Sequence, residues 1–410
     1  MLHIPIILTQ HAEDAAVLWQ RRTRAVNAPH YNKMYLGRLD EQLEAHIDGL
    51  RIAGSTGWDE ALAAYDDIGG AGEMFTLATL AFGHDTTARM PLLIDKIQTD
   101  PNRYLGAAAS GIGWLHSTKL SGKVSPLLTS ENPIARALAV GGCACHRVDP
   151  GKHLTKLITD APGVRRCALK LAGEMGRVDL LPAILEQTQD SDPLTAFWAT
   201  WAAVLLGDRG EALQTLLKLG LSDHPHGDRA LRTALIAMGP EAGKRWLDTQ
   251  PVTAETTVKK ITGYGILGDA GAVPWLIAQM SDPALAQIAG ESYALITGAD
   301  LAEEDLDQDP PETSDQGPND DPTDDNVDLD DNENLPFASA DHVAAHWHKI
   351  QTRFAGGAYM LGRPAGVQAW QFCFAQGYQR QRRVAATWLA ISDPTAALLN
   401  WKTPAIAHWR

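Results

Sequence analysis

The chain reads as all-α, an α-solenoid of stacked helical hairpins with helical caps at both ends. Three observations predict this: apolar residues at helical spacing, a proline-marked repeat near thirty residues, and a single acidic stretch unable to join a core. The repeat is clearest from Val164 to Pro193, VRRCALKLAGEMGRVDLLPAILEQTQDSDP. Val164, Cys167, Ala168, Leu171 and Ala172 recur at helical spacing, and Arg165, Arg166, Lys170 and Glu174 take the outer face. Gly176 supplies a C-cap, since glycine enters the left-handed region without steric cost. Leu180, Leu181, Ile184 and Leu185 then build a second apolar stripe. Asp192-Pro193 closes the hairpin, because proline disfavours helix at the residue before it and donates no backbone hydrogen bond. One hairpin cannot bury its apolar face alone, so it requires neighbours of its own kind.

Those neighbours recur along the chain. Leu92-Leu93 precede Asp100-Pro101, Leu127-Leu128 precede Asn132-Pro133, and Leu154 and Leu157 precede Pro162. Leu216-Leu217 precede Pro225, Trp246-Leu247 precede Pro251, and Trp275-Leu276 precede Asp282-Pro283. The steps between these prolines are 32, 29, 31, 32, 26 and 32 residues. A period this steady around a helix-turn-helix is the mark of a solenoid, against the alternative of an irregular helical domain with coincidental prolines.

Length and charge narrow the classes. A chain of 410 residues with 45% apolar content supports a large core. The longest apolar run, Thr195 to Leu206, is too short to span a bilayer and reads as a buried repeat helix. The N-terminus MLHIPIILTQ has no basic leader and no evident cleavage site, so the expected location is the cytoplasm. Cys143, Cys145, Cys167 and Cys373 all fall in expected helices and read as reduced, buried thiols. Between Glu303 and Glu333 stand 15 acidic residues and no Lys or Arg. The whole chain has 50 acidic and 35 basic residues, so removing that stretch leaves 35 against 35. The net charge of −15 therefore resides in one insert, and the rest is balanced.

Four segments are expected in order: an N-terminal helical cap at 1–57, a repeat array at 58–301, a flexible acidic insert at 302–338, and a C-terminal repeat and cap at 339–410. In the cap, Ala12 to Ala25 and Leu36 to Ile52 read as helices joined by a loop at Ala28-Pro29, with Arg21, Arg22 and Arg24 favouring the helix dipole. Such caps cover core faces that terminal repeats would expose. The insert holds four prolines before Leu335-Pro336 and few large apolar residues, too little apolar surface to offset the entropy of ordering. Helix resumes near Ser339, from His342 to Phe354, and the main C-terminal helix ends near Ile391 before Asp393-Pro394 and an apolar segment, Ala396 to Trp401.

The single repeats, Val164 to Pro193 above all, resemble short HEAT-like repeats of the phycobilisome-lyase type. Several blocks extend the likeness: HAEDAAVLWQRR (11–22), LGRLDEQLEAHIDGLRIAG (36–54), GESYALITGADL (290–301), the acidic insert ending in LP, and GYQRQRRVAA (377–386). Together they resemble a bacterial family of HEAT-repeat proteins often encoded near type VI secretion genes. The likeness covers both caps and the array. It carries no catalytic motif, and implies an accessory to secreted effectors, an immunity protein or an adaptor.

Motifs that would carry chemistry fall short residue by residue. Cys143, Cys145 and His146 lack a second Cys/His pair at zinc spacing. His342 and His346 share a helical face, but a metalloprotease would need Glu where Val343 stands. Asp324, Asn326 and Asp328 have EF-hand spacing, yet Leu329 and Leu335 replace its Gly and Glu. The strings AASGIG (108–113) and GYGILGDAG (263–271) lack a preceding strand and a Lys-Ser/Thr ending, so they read as packing glycines and turns. Arg21, Arg22 and Arg24, and Arg380, Arg382 and Arg383, read as solvated faces without a net basic field.

The expected function is therefore a non-enzymatic protein-binding scaffold that needs no cofactor and no metal. Its insert would engage a basic protein partner, an effector or toxin, through Asp320, Asp321, Asp324, Asp325, Asp328, Asp330 and Asp331. The alternatives are a solubilising role for the insert, and a HEAT-like enzyme acting on nucleic acid or a bound small molecule.

Overall fold

Proline placement decides where helices begin. In the computed structural model, which describes residues 4–84, 88–311 and 331–406, prolines 101, 133, 162, 193 and 283 each sit in the first turn of a helix. Asp100, Asn132, Asp192 and Asp282 cap four of these five helices, their side-chain oxygens accepting backbone N–H groups two or three residues on, while Ala161 precedes Pro162 without a side-chain cap. The dipeptide that stops one hairpin thus also starts the next. Pro225 and Pro251 instead lie in turns between helices.

The fold is all-α. The described residues contain 20 α-helices and two short β-ribbons. They divide into two units: 4–27, 31–207 and 394–406 form one, and 28–30 and 208–393 the other. This division cuts across the four expected segments, because the array is split after Gly207 and the C-terminal part after Asp393.

In the first unit, α1 (Pro5–Ala25), α2 (Lys33–Ile52) and α3 (Ser55–Ile68) pack on one another and on α4 (Ala71–Gly83). Next come α5 (Arg89–Thr99), α6 (Pro101–Trp114), α7 (Pro133–His146), α8 (Lys152–Leu157), α9 (Pro162–Glu174), α10 (Leu181–Leu185) and α11 (Pro193–Leu205). Helices α4, α6, α7, α9 and α11 stack in sequence as an inner layer. The outer layer is shorter: α5, α8 and α10, with 3-10 turns at 125–129, 178–180 and 186–189. The expected second helix at 180–185 is therefore one short turn between two 3-10 segments. Outer elements are covered on one side, so Leu93 and Ile184 are buried while Leu92 and Leu185 are exposed.

Small residues let the inner helices approach. A Cβ at Gly111 would lie 2.8 Å from Ala78 Cβ, at Gly141 2.7 Å from Ala109 Cβ, and at Gly173 2.9 Å from Ala202 Cα. Around this ladder the core holds Trp19 stacked on Phe75 at 5.3 Å, with Trp114 edge-on to Phe75. Residues 394–406 run without regular helix along the same unit. Leu398 N donates to Glu174 O (2.8 Å), Asn400 Nδ2 to Cys145 O (2.8 Å), and Ala405 N to Asp40 Oδ2 (2.7 Å). The apolar segment expected to close a C-terminal cap thus belongs to the unit that begins the chain.

The second unit contains α12 (Glu211–Gly220), α13 (Gly227–Met238), α14 (Pro240–Thr249), α15 (Ala254–Leu267), α16 (Val273–Gln279) and α17 (Pro283–Thr297). After the acidic region come α18 (Ala340–Ile350), α19 (Val367–Gln376) and α20 (Gln379–Ser392). Helices α13, α15 and α17 stack in order, and α20 packs on α13. The acidic region is not uniformly irregular. β1 (Asp307–Gln308) pairs antiparallel with β2 (Phe337–Ala338), and β3 (Tyr359–Met360) with β4 (Arg363–Pro364). The expected flexible insert at 302–338 therefore has defined structure at both ends, and its middle, 312–330, lies outside the described residues.

Candidate functional site

Two helices of the second unit each carry arginines three residues apart. Helix α13, GDRALRTALIAM, turns Ala230, Leu231, Ala234 and Leu235 into the core, with Asp228 in its first turn where the dipole favours a carboxylate. Three-residue spacing then brings Arg229 and Arg232 to one side. On α20, QRQRRVAATWLAIS, Trp388 stacks on Trp370 at 5.0 Å and donates its Nε1 to Ile266 O (3.0 Å). That anchor fixes the rotation of α20 and sets Arg380 and Arg383 against α13 and α17.

The resulting cluster is strongly positive. Arg232 is 5% exposed, and neither its Nε nor that of Arg383 has a hydrogen-bond partner among the described residues. Burial, then the charges of Arg383 and Arg229, push the Arg232 guanidinium well down from its ordinary range. Burial followed by Arg380 and Arg229 pushes Arg383 down to about 10. Two carboxylates are near, each already bonded to a different cation: Asp228 Oδ1 to Lys259 Nζ (2.7 Å) and Glu291 Oε2 to Arg380 Nη1 (3.0 Å).

Beside this cluster lies the root of the acidic stretch. Arg380 Nη1 also donates to Asn332 Oδ1 (3.0 Å), and Arg380 Nη2 to Asp331 O. Gln287 Nε2 donates to Asn332 O (3.0 Å) and Leu335 O (2.8 Å). The ribbon lies so close to α17 that a Cβ at Gly290 would meet Leu301 Cδ1 at 2.7 Å and Ala338 Cβ at 2.8 Å. Of the seven expected partner-binding aspartates, Asp331 is exposed at this root. The other six, Asp320, Asp321, Asp324, Asp325, Asp328 and Asp330, lie outside the described residues, as do Asn326 and Leu329 of the EF-hand-like spacing.

The expectation that Arg380, Arg382 and Arg383 form a solvated face fails, and so does the same reading of Arg22. Arg382 is buried, donating its Nε to Phe374 O (2.8 Å) with its guanidinium over that ring. Arg22 is buried against Asp40 at 2.6 Å and donates to Lys402 O. Arg22 is received by groups from another helix and from the far end of the chain, whereas Arg382 is received by the end of the preceding helix, α19, eight residues back. The signal that the sequence offers for Arg229 and Arg232 is two arginines three apart in a helix with a strong apolar stripe.

The other flagged residues separate. His342 and His348 are exposed. His346 turns inward, its Nδ1 2.6 Å from Tyr293 Oη and its Nε2 3.3 Å from Glu304 Oε2, lining a cleft of about 370 Å³ with Arg353 and Arg363. Burial, with Glu304 second, raises the Tyr293 phenol above its ordinary range, which keeps it a hydrogen-bonding neutral group. Cys143 is buried, Cys145 Sγ points to Ala109 O (3.5 Å), and His146 Nε2 is 3.0 Å from Ile112 O. Among the described residues, no three His, Cys, Asp or Glu side chains gather as metal ligands. No described helix is long and apolar enough to cross a membrane. The glycines of 108–113 lie in α6, and Gly268 of the second string caps α15 at φ +74°.

Comparison of the chain with protein-family models, curated proteins and solved structures gave no match.

Proposed function

We propose that this chain is a non-enzymatic protein-binding helical scaffold whose acidic insert engages a basic protein. In the role the family resemblance implies, that partner is a secreted bacterial effector or toxin, and the chain serves as its immunity protein or adaptor. The observation that carries the reading is the ribbon Asp307–Gln308/Phe337–Ala338. It holds together the two ends of a stretch, 309–336, that carries 11 acidic residues and no Lys or Arg, in a chain whose remainder outside 303–333 is charge-balanced. A concentrated negative charge on a fixed root favours association with a cationic surface, and salt screens that association. Stacked hairpins supply an extended surface for the same partner without needing a reactive group.

The test is affinity purification of the tagged chain from its host at low and high salt, with mass spectrometry of the bound proteins. A second full-length chain carries Gln at Glu312 and Asn at the seven aspartates from Asp315 to Asp330. The expected result is one stoichiometric basic protein, lost at high salt and bound at least about tenfold more weakly by the neutralised chain. Undiminished binding by the neutralised chain would remove the insert from the interface. If no protein co-purifies, the scaffold reading itself falls.

A further inference from the structure

A guanidinium stays protonated across the physiological range, so several buried together leave a positive potential with no proton to release. Between α13 and α20, Arg232 is buried, and Arg229, Arg380 and Arg383 are half-buried. Arg232 and Arg383 each bury an Nε–H with no acceptor, and the Asp228 and Glu291 carboxylates are bonded to Lys259 and Arg380. Among the described residues, five cations, Arg229, Arg232, Lys259, Arg380 and Arg383, stand with two acids, Asp228 and Glu291. An unanswered donor on a buried charge is costly, and a planar guanidinium is matched best by the paired oxygens of a carboxylate or phosphate. We propose that Arg229, Arg232 and Arg383 form an oxyanion-binding site between α13 and α20, in which a phosphate or carboxylate accepts the two orphaned Nε–H bonds. Burial first, and the neighbouring guanidinium charges second, lower the protonation ranges of Arg232 and Arg383, and an oxyanion beside them would oppose both effects. The site does not depend on the scaffold reading, since it concerns side chains of the helical array itself.

The same oxyanion chemistry has two sources: a free or ligand-borne phosphate, and the eight carboxylates that the chain carries between 312 and 330. Titration calorimetry with inorganic phosphate, at constant ionic strength in chloride, separates them when run on the natural chain and on the neutralised full-length chain. Saturable binding by both assigns the site to an external oxyanion. Binding by the neutralised chain alone assigns it to the chain's own carboxylates, displaced by phosphate once their charge is removed. In whichever chain binds, R232Q and R383Q each weaken phosphate by about tenfold or more, the scale of a lost charge-assisted hydrogen bond. K218Q, on α12, leaves the affinity unchanged. Thermal unfolding in phosphate-free buffer gives an independent readout: R232M raises the midpoint, because an unpartnered buried charge is replaced by a packed apolar chain. Should R232Q fail to fold, R383Q and R229Q carry the comparison. Absence of phosphate binding in both chains, or wild-type affinity in the folded variants, overturns the proposal.

Discussion

Arg136 and Asp160 show how one pair ties successive repeats. The guanidinium meets the carboxylate through Nη2–Oδ1 (2.6 Å) and Nε–Oδ2 (2.8 Å), and its Nη1 reaches Ser130 O and Glu131 O. The Arg136 hydrogen bonds hold the Asp160 carboxyl below its ordinary value of 3.8. A depressed folded-state pKa means stability that is present above the unfolded value and lost as pH falls through the folded one. We therefore expect D160N to destabilise the first unit at pH 7 in urea titrations, with the difference shrinking as pH is lowered beneath 3.8. An equal difference at pH 7 and pH 2 would show that the ion pair contributes nothing. Arg22 and Asp40 differ from this pair in being buried, with Asp40 also accepting from Ala405 N.

At the scale of the element, glycine has two opposite meanings within α6. Gly106 is exposed and has nothing within 4 Å of a would-be Cβ, whereas Gly111 would place one 2.8 Å from Ala78 Cβ and 2.9 Å from Phe75 O. G106A should stabilise by about 1 kcal/mol, since alanine loses less backbone entropy in a helix. G111A should cost about 1–3 kcal/mol through overpacking of α6 against α4. Chemical denaturation of the two variants measures both, and equal signs would contradict this stacking of the inner layer. The pattern of small residues was readable as helix packing; which glycine faces a neighbour was not.

Across the whole molecule, the chain's last described segment decides the stability of its first unit. Leu398, Trp401 and Ile406 are buried, the backbone N–H groups of Leu398 and Ala405 donate to Glu174 O and Asp40 Oδ2, and the Asn400 side chain donates to Cys145 O. A chain ended after Asp393 should lose at least about 3 kcal/mol in that unit, from exposed apolar surface alone. Hydrogen exchange would locate the loss, with amides of α2, α7 and α9 becoming less protected. Unchanged protection there would mean that the tail contributes no stability.

The sequence by itself determined the all-α class, the period near thirty, the left-handed Gly176 at φ +65° and the Asp/Asn-Pro steps as hairpin boundaries, which the structure shows also to be helix starts. These follow from local physics: helical spacing, backbone sterics and capping act within a few residues. It also localised the net charge, which is a property of composition. Tertiary structure alone decided that α13 and α20 meet, and so that four arginines more than 140 positions apart in two pairs share one place. It decided equally that Arg22 and Arg382 are buried and that residues 394–406 return to the first unit. For Arg22 the difference between exposure and burial lies in a carboxylate and a carbonyl brought from elsewhere in the chain, and for Arg382 in the turn that folds α20 back on α19. Burial of charge is a long-range property, and only the packed fold supplies or withholds the partner.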